Sequence, residues 1–110
     1  MSFKLIFTPF FEKEVKQLAK KYPSVKKDIA LLGEQLLINP DLGEPIGKKC
    51  YKIRMPVTGK KTGKSGGARI ITHVVFVKET IYLISIFDKS EKENISEKLP
   101  EQLLKLLSPK

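Results

Sequence analysis

The sequence predicts an α+β fold: a small, mostly antiparallel sheet carrying an N-terminal helical hairpin and a C-terminal helix on one side. Two observations carry this. Apolar residues recur at helical spacing in two successive stripes near the N-terminus, and three alternating or β-branched runs of strand length follow residue 50. A chain of 110 residues with one cysteine, Cys50, has no internal disulfide and builds its core by packing layers. No repeat or linker interrupts it, so residues 1–110 are expected to form one domain in the order β-α-α-β-β-β-α.

Phe3-Lys4-Leu5-Ile6-Phe7 alternates as a short strand. Thr8-Pro9 then supplies an N-cap and the proline favoured at the first helical position. The stripe Phe11, Val15, Leu18 and Tyr22 predicts one buried helix face, with Glu12, Lys13, Lys16 and Lys20 outward. Ser24 is the expected cap of a second helix with the stripe Val25, Ile29, Leu32 and Leu36, ending near Asn39-Pro40. Residues 41–47, rich in glycine and proline, read as a loop.

Tyr51-Lys52-Ile53-Arg54-Met55 alternates as a strand, with Lys52 and Arg54 sharing one face about 7 Å apart. After a glycine-lysine loop, residues 68–77 form a run apolar enough for a central strand covered on both faces. Lys78-Glu79-Thr80 turns the chain into residues 81–87, the expected antiparallel partner, and a last helix is expected over 97–107 behind a Ser96 cap.

Charge is the informative part of the composition. The 21 lysines and arginines exceed the 12 acids, for a net +9. Between Lys48 and Arg69 lie Lys48, Lys49, Lys52, Arg54, Lys60, Lys61, Lys64 and Arg69 without a single acid, which suits a polyanion such as nucleic acid. No apolar run approaches the roughly 18 residues of a membrane span, and the N-terminus has no signal-peptide pattern, so a cytoplasmic protein without a membrane partner is expected.

Several chemistries are disfavoured. Gly59-Lys60-Lys61-Thr62-Gly63-Lys64-Ser65 has three residues between its glycines where a phosphate-binding P-loop needs four, and a strand follows where that motif needs a helix. Asp88, Glu91 and Glu93 read as a solvated helix approach more readily than as a metal site, and no metal or cofactor is expected. Metal-free cleavage is open to RNA, whose 2′-hydroxyl can attack the adjacent phosphate. It needs a base, cations on the developing charge and a donor for the departing oxygen. Lysine and arginine can serve, a lysine near pKa 10.4 being lowered by neighbouring cations and desolvation. Both arginines, Arg54 and Arg69, fall on expected strands, where a rigid backbone fixes the guanidinium fork for phosphate oxygens. Alternation places Ile71 and His73 on the face of Arg69, which makes His73 a candidate acid or base.

Lys52-Ile53-Arg54, the stretch Gly59 to Ile71 with its Gly66-Gly67-Ala68-Arg69-Ile70-Ile71 core, and Ile84-Ser85-Ile86-Phe87-Asp88-Lys89-Ser90-Glu91 together resemble the RelE/ParE superfamily of bacterial toxins, most closely the HigB-like branch of RelE. The resemblance covers most of the chain. It implies a ribosome-dependent endoribonuclease that cuts messenger RNA in the decoding site, is neutralised by a cognate antitoxin and uses no small-molecule cofactor. It further implies that Arg69 stabilises the transition state, Arg54 holds the scissile phosphate, Lys52 is a base or electrostatic helper, and Lys89 is a basic residue after the last strand.

Lys48, Lys49, Lys60, Lys61 and Lys64 would bind the RNA backbone, and Phe87 would stack on a base. Many relatives have a tyrosine where Phe87 stands, and RelE itself has a further arginine and a tyrosine where this chain has Ser90 and Ser96. The general acid is therefore open between Lys89 and His73. Two alternatives stay open on the same fold: a ParE-like poison of DNA gyrase, and a noncatalytic RNA-binding relic.

Overall fold

The structure, a computed structural model, describes residues 2–58 and 67–88. Strand β1, Lys4–Phe7, leads into helix α1, Pro9–Lys21, through Thr8. The Thr8 hydroxyl oxygen accepts from the Phe11 amide at 3.2 Å, and its proton goes to the Leu83 carbonyl at 3.0 Å. One side chain thus starts the helix and ties it to a strand late in the chain. Phe11 and Leu18 of the expected stripe are buried, and Val15 and Tyr22 pack on the same cluster.

Helix α2, Val25–Ile38, buries Val25, Ile29, Leu32 and Leu36 as its spacing predicts. Ser24 does not cap it. Its backbone is already helical, with φ −67° and ψ −12°, and its hydroxyl donates to Asp28 Oδ2 at 3.3 Å. Asp28, 7 % exposed, also accepts from the Thr58 amide at 3.0 Å and from the Thr58 hydroxyl. This carboxylate anchors the chain where the glycine-lysine segment begins. At the far end the backbone of Gly67 passes so close to Met55 that a Cβ there would stand 2.3 Å from the Met55 carbonyl oxygen, which leaves room for glycine alone.

The segment expected as a loop contains a strand, β2, Glu44–Gly47, which pairs antiparallel with β3, Cys50–Met55. Pro45 misled the reading, yet β2 is an edge strand, where a missing amide proton leaves no ladder bond unmade. Strand β4, Ala68–Val75, ends two residues before the sequence pattern does. Phe76–Lys78 coils into a 3₁₀ turn and Glu79 takes a left-handed conformation, φ 48°. Val77, 93 % exposed, is apolar but belongs to that turn. Strand β5, Thr80–Asp88, returns antiparallel to β4. The C-terminal helix expected at 97–107 lies outside the described residues.

The sheet order is β1-β5-β4-β3-β2, antiparallel throughout except for the parallel pair β1 and β5. Strand β4 is central and buried along nearly its whole length, as its continuous apolar run predicts. The main core, including Phe11, Leu36, Ile53, Ile70, Ile81 and Leu83, lies between the helices and one sheet face. Each such side chain contributes about 1.5–3 kcal/mol on full burial. A second, smaller cluster of Ile71, Ile84 and Phe87, flanked by Ile46 and Tyr82, forms on the opposite face. Among the described residues no helix is long and apolar enough to cross a membrane.

The Asp28 anchor gives the first testable outcome. Asp28→Ala leaves the Thr58 amide and hydroxyl without their acceptor and should lower stability by about 1–2 kcal/mol, measured as a shifted urea midpoint at unchanged slope.

Candidate functional site

The face of the sheet away from the helices is ordered in three cross-strand rows. Strand β3 directs Ile53 and Met55 into the main core, so alternation turns Cys50, Lys52 and Arg54 to the other face. The β3–β4 register places Arg54 opposite Arg69, Lys52 opposite Ile71 and Cys50 opposite His73. The β4–β5 register continues those rows to Phe87, Ser85 and Tyr82.

The first row, Arg54-Arg69-Phe87, depends on a bulge. Along β5, Ile81 and Leu83 enter the main core while Tyr82 and Ile84 belong to the opposite face. Pairing then jumps from Thr72–Leu83 to Ile71–Ser85, leaving Ile84 as an extra residue. The alternation is reset by one, Ile86 returns to the helix side, and Phe87 lands beside Arg69. Glu14 of α1 secures this irregular stretch. Beyond the end of β1, its Oε1 accepts from the Ile86 amide at 2.9 Å and from the Ser85 hydroxyl at 2.9 Å.

Directly opposed like charges destabilise a sheet, and Arg54 has no carboxylate partner among the described residues. Arg69 is 6 % exposed, its Nη1 donating to the Ala68 carbonyl at 3.2 Å, whereas Arg54 is exposed. Burial first, and the Arg54 charge second, pull the Arg69 guanidinium below its ordinary range. It remains a cation at neutral pH. Two forked donors on one face are chemically suited to an anion such as phosphate. In the second row the Lys52 ammonium stands 3.8 Å from Glu44 Oε1, at the margin of the same face.

A doubly arginine-substituted variant of the E. coli toxin RelE, in the free state, superposes with a TM-score of 0.65 at 19% identity, covering 98% of this chain and 100% of that one. The intact E. coli RelBE toxin–antitoxin complex matches with a TM-score of 0.58 at 22% identity over 80% of this chain and 96% of that chain. The chain has the RelE fold. No protein-family model matches its sequence.

Within this RelE fold the expected site residues separate into groups. Lys52, Arg54, Arg69 and Phe87 come together on one face. His73 shares that face but not that spot, because it lies four residues from Arg69 along β4, about 13 Å. It joins the third row instead, with Nδ1 3.7 Å from the Cys50 sulfur and its ring stacked on Tyr82 at 6.3 Å between centroids. Alternation identifies a shared face without reporting distance along it, which is why the sequence placed His73 with the arginines.

Lys48 and Lys49 form the turn between β2 and β3. Lys60, Lys61, Lys64 and Lys89 lie outside the described residues. Sequence reasoning missed Glu14, Asp28 and Tyr82. A polar residue adjoining a buried stripe, as Glu14 adjoins Val15, was the available signal for the first.

Desolvation pulls His73 below the usual histidine range, opposed by the nearby carbonyls of Lys48 and Lys49, and burial pushes the Cys50 thiol up to about 11. The unfolded chain therefore takes up the histidine proton first. Stability contributed by neutral His73 is complete above about pH 6.5 and falls as the solution is acidified below that. As the chain's only histidine, it should account for a drop in melting temperature between pH 6.5 and 5 that His73→Gln flattens. Glu14→Ala should cost about 2 kcal/mol by denaturant titration, and Glu14→Gln, which keeps an acceptor oxygen, clearly less.

Proposed function

We propose that this protein is the toxin of a type II toxin–antitoxin pair, an endoribonuclease of the HigB-like branch that cleaves messenger RNA on the ribosome. The observation that supports the reading is the Arg54-Arg69 pair, two guanidinium forks in one cross-strand row on the face away from the helices of a RelE fold. The Lys52-Ile53-Arg54 and Gly66-Gly67-Ala68-Arg69-Ile70-Ile71 stretches support the branch.

In this reading the 2′-hydroxyl attacks the neighbouring phosphorus, the bond from phosphorus to the 5′-oxygen breaks, and a 2′,3′-cyclic phosphate and a 5′-hydroxyl result. The hydroxyl proton leaves with a base, and a second proton reaches the departing oxygen. Arg54 holds the scissile phosphate in the ground state. Arg69, already partly desolvated, binds the charge that builds in the transition state, where such a donor acts most strongly. Lys52 adds positive potential, whereas Phe87, expected to stack on a base, is 7 % exposed and packs with Ile71 and Ile84 instead. Without a hydroxyl, Phe87 supplies no proton, so the protein contributes charge and orientation. The decoding site contributes further positioning, an effect worth roughly 7–11 kcal/mol when it is complete. The antitoxin partner follows by analogy with the RelBE assembly.

Arg69→Ala and Arg54→Ala should each lower cleavage on translating ribosomes by roughly 10²–10³-fold and relieve the growth arrest caused by expression without an antitoxin. The check is primer extension on induced cells, with 2′,3′-cyclic phosphate ends on the cut transcripts. Broken chromosomal DNA with intact transcripts would identify a gyrase poison, and RNA binding without any cut a noncatalytic relic.

A further inference from the structure

Helix α2 carries two stripes of identical spacing on nearly opposite sides. Val25, Ile29, Leu32 and Leu36, separated by four, three and four residues, enter the core. Lys27, Leu31, Glu34 and Ile38 repeat that spacing and lie about 160° around the helix axis from the first set. A surface helix ordinarily presents polar residues opposite its buried stripe. Here Leu31 is 57 % exposed and Ile38 79 %, with Leu37 exposed beside them. Large aliphatic side chains gathered on one solvent-facing side of a helix mark a contact surface.

The charges on this stripe decide what fits it. Lys27 and Glu34 are exposed, and neither has an ionic partner among the described residues. Seven residues, about 10.5 Å, separate them along the axis, close to twice the spacing at which helical side chains pair. A cation therefore stands on one side of Leu31 and an anion on the other, and the stripe is complementary to itself run in reverse. A two-fold axis beside Leu31, close to the middle of Val25–Ile38, lays α2 on the α2 of a second copy along its full length. Leu31 then meets its symmetry mate at the centre, Lys27 faces Glu34 of the other copy on both sides, and Ile38 closes each end over the Pro23-Ser24 corner of the other copy. A foreign helix of uniform charge would match only half of the stripe.

We propose that the outer face of α2 is a self-association surface through which two copies of this chain pair as an antiparallel, isologous dimer. Helix α2 packs on the sheet face opposite Arg54 and Arg69, so the pairing leaves both arginine pairs turned away from the contact. The proposal draws nothing from the RNA reading and is tested separately from it. A pair of 14-residue helices, about 21 Å long, buries less area than a standard interface, which sets the dissociation constant in the micromolar range.

The test is sedimentation equilibrium of the full chain over roughly 1–500 μM, where a reversible monomer–dimer equilibrium is expected. Leu31→Lys, which sets two ammonium groups against each other at the axis, should weaken association at least about tenfold. Lys27→Glu, which opposes acid to acid twice, should also weaken it. Lys27→Glu/Glu34→Lys restores opposite signs in reversed order and should recover the original affinity to within about threefold. All three positions are exposed, so the melting temperature of the dilute, monomeric protein should stay that of the unaltered chain. Recovery in the doubly exchanged protein cannot arise from a folding defect, since it adds a second substitution to the first. A chain that stays monomeric throughout overturns the proposal and leaves the stripe to a foreign protein. A dimer indifferent to Leu31→Lys lies elsewhere on the molecule and overturns it too, as does a double exchange that fails to restore what Lys27→Glu removes.

Discussion

The register between β3 and β4 is the constraint on which everything else depends. Ile53, Met55 and Ile70 must enter the main core, and the period of two then commits Arg54 and Arg69 to the other side. A slip by one residue would bury a guanidinium under the helices and expose the isoleucines, at a cost of several kcal/mol for each exchange. Core packing on one face thereby enforces a like-charge contact on the other. The sheet tolerates this contact because the repulsion is small beside the burial that opposes it, and because one of the two forks extends toward solvent.

Phe87 reaches the same place by a different route. Plain alternation from Leu83 would send Phe87 into the helix side together with Leu83 and Ser85. The extra residue at Ile84 reverses that outcome, and Glu14 keeps the irregular stretch hydrogen-bonded where β1 no longer covers the strand edge. The helical layer thus shapes the far face of the sheet through one carboxylate.

Much of this was readable before any coordinates. Both helix stripes, the Thr8 cap, the central position of β4 and the faces of Lys52, Arg54 and Arg69 follow from period and burial alone. Other features were hidden for definite reasons. Leu83-Ile84-Ser85-Ile86 contains no glycine or asparagine to announce a bulge, since its irregularity is stabilised from another element. Glu44-Pro45-Ile46-Gly47 has the composition of a loop and is a strand only because it sits at an edge. The Lys48–Lys49 turn lacks the usual turn residues for the same kind of reason, its geometry being imposed from β4. Asp28 could be recognised only once Thr58 was known to lie beside it.

The parallel pairing of β1 with β5 has a consequence for biosynthesis. Thr8 bonds to Leu83 across 75 residues of chain, and among the described residues the N-terminal strand has no sheet partner except β5. At about 5–20 residues per second, roughly 4–15 seconds of translation separate the two segments. Throughout that interval β1 lacks the strand it pairs with, and the arginine row cannot assemble until almost the whole sheet has been made. Such long-range closure also slows folding after release. A nascent copy thus carries no assembled arginine row until its last strand has been made.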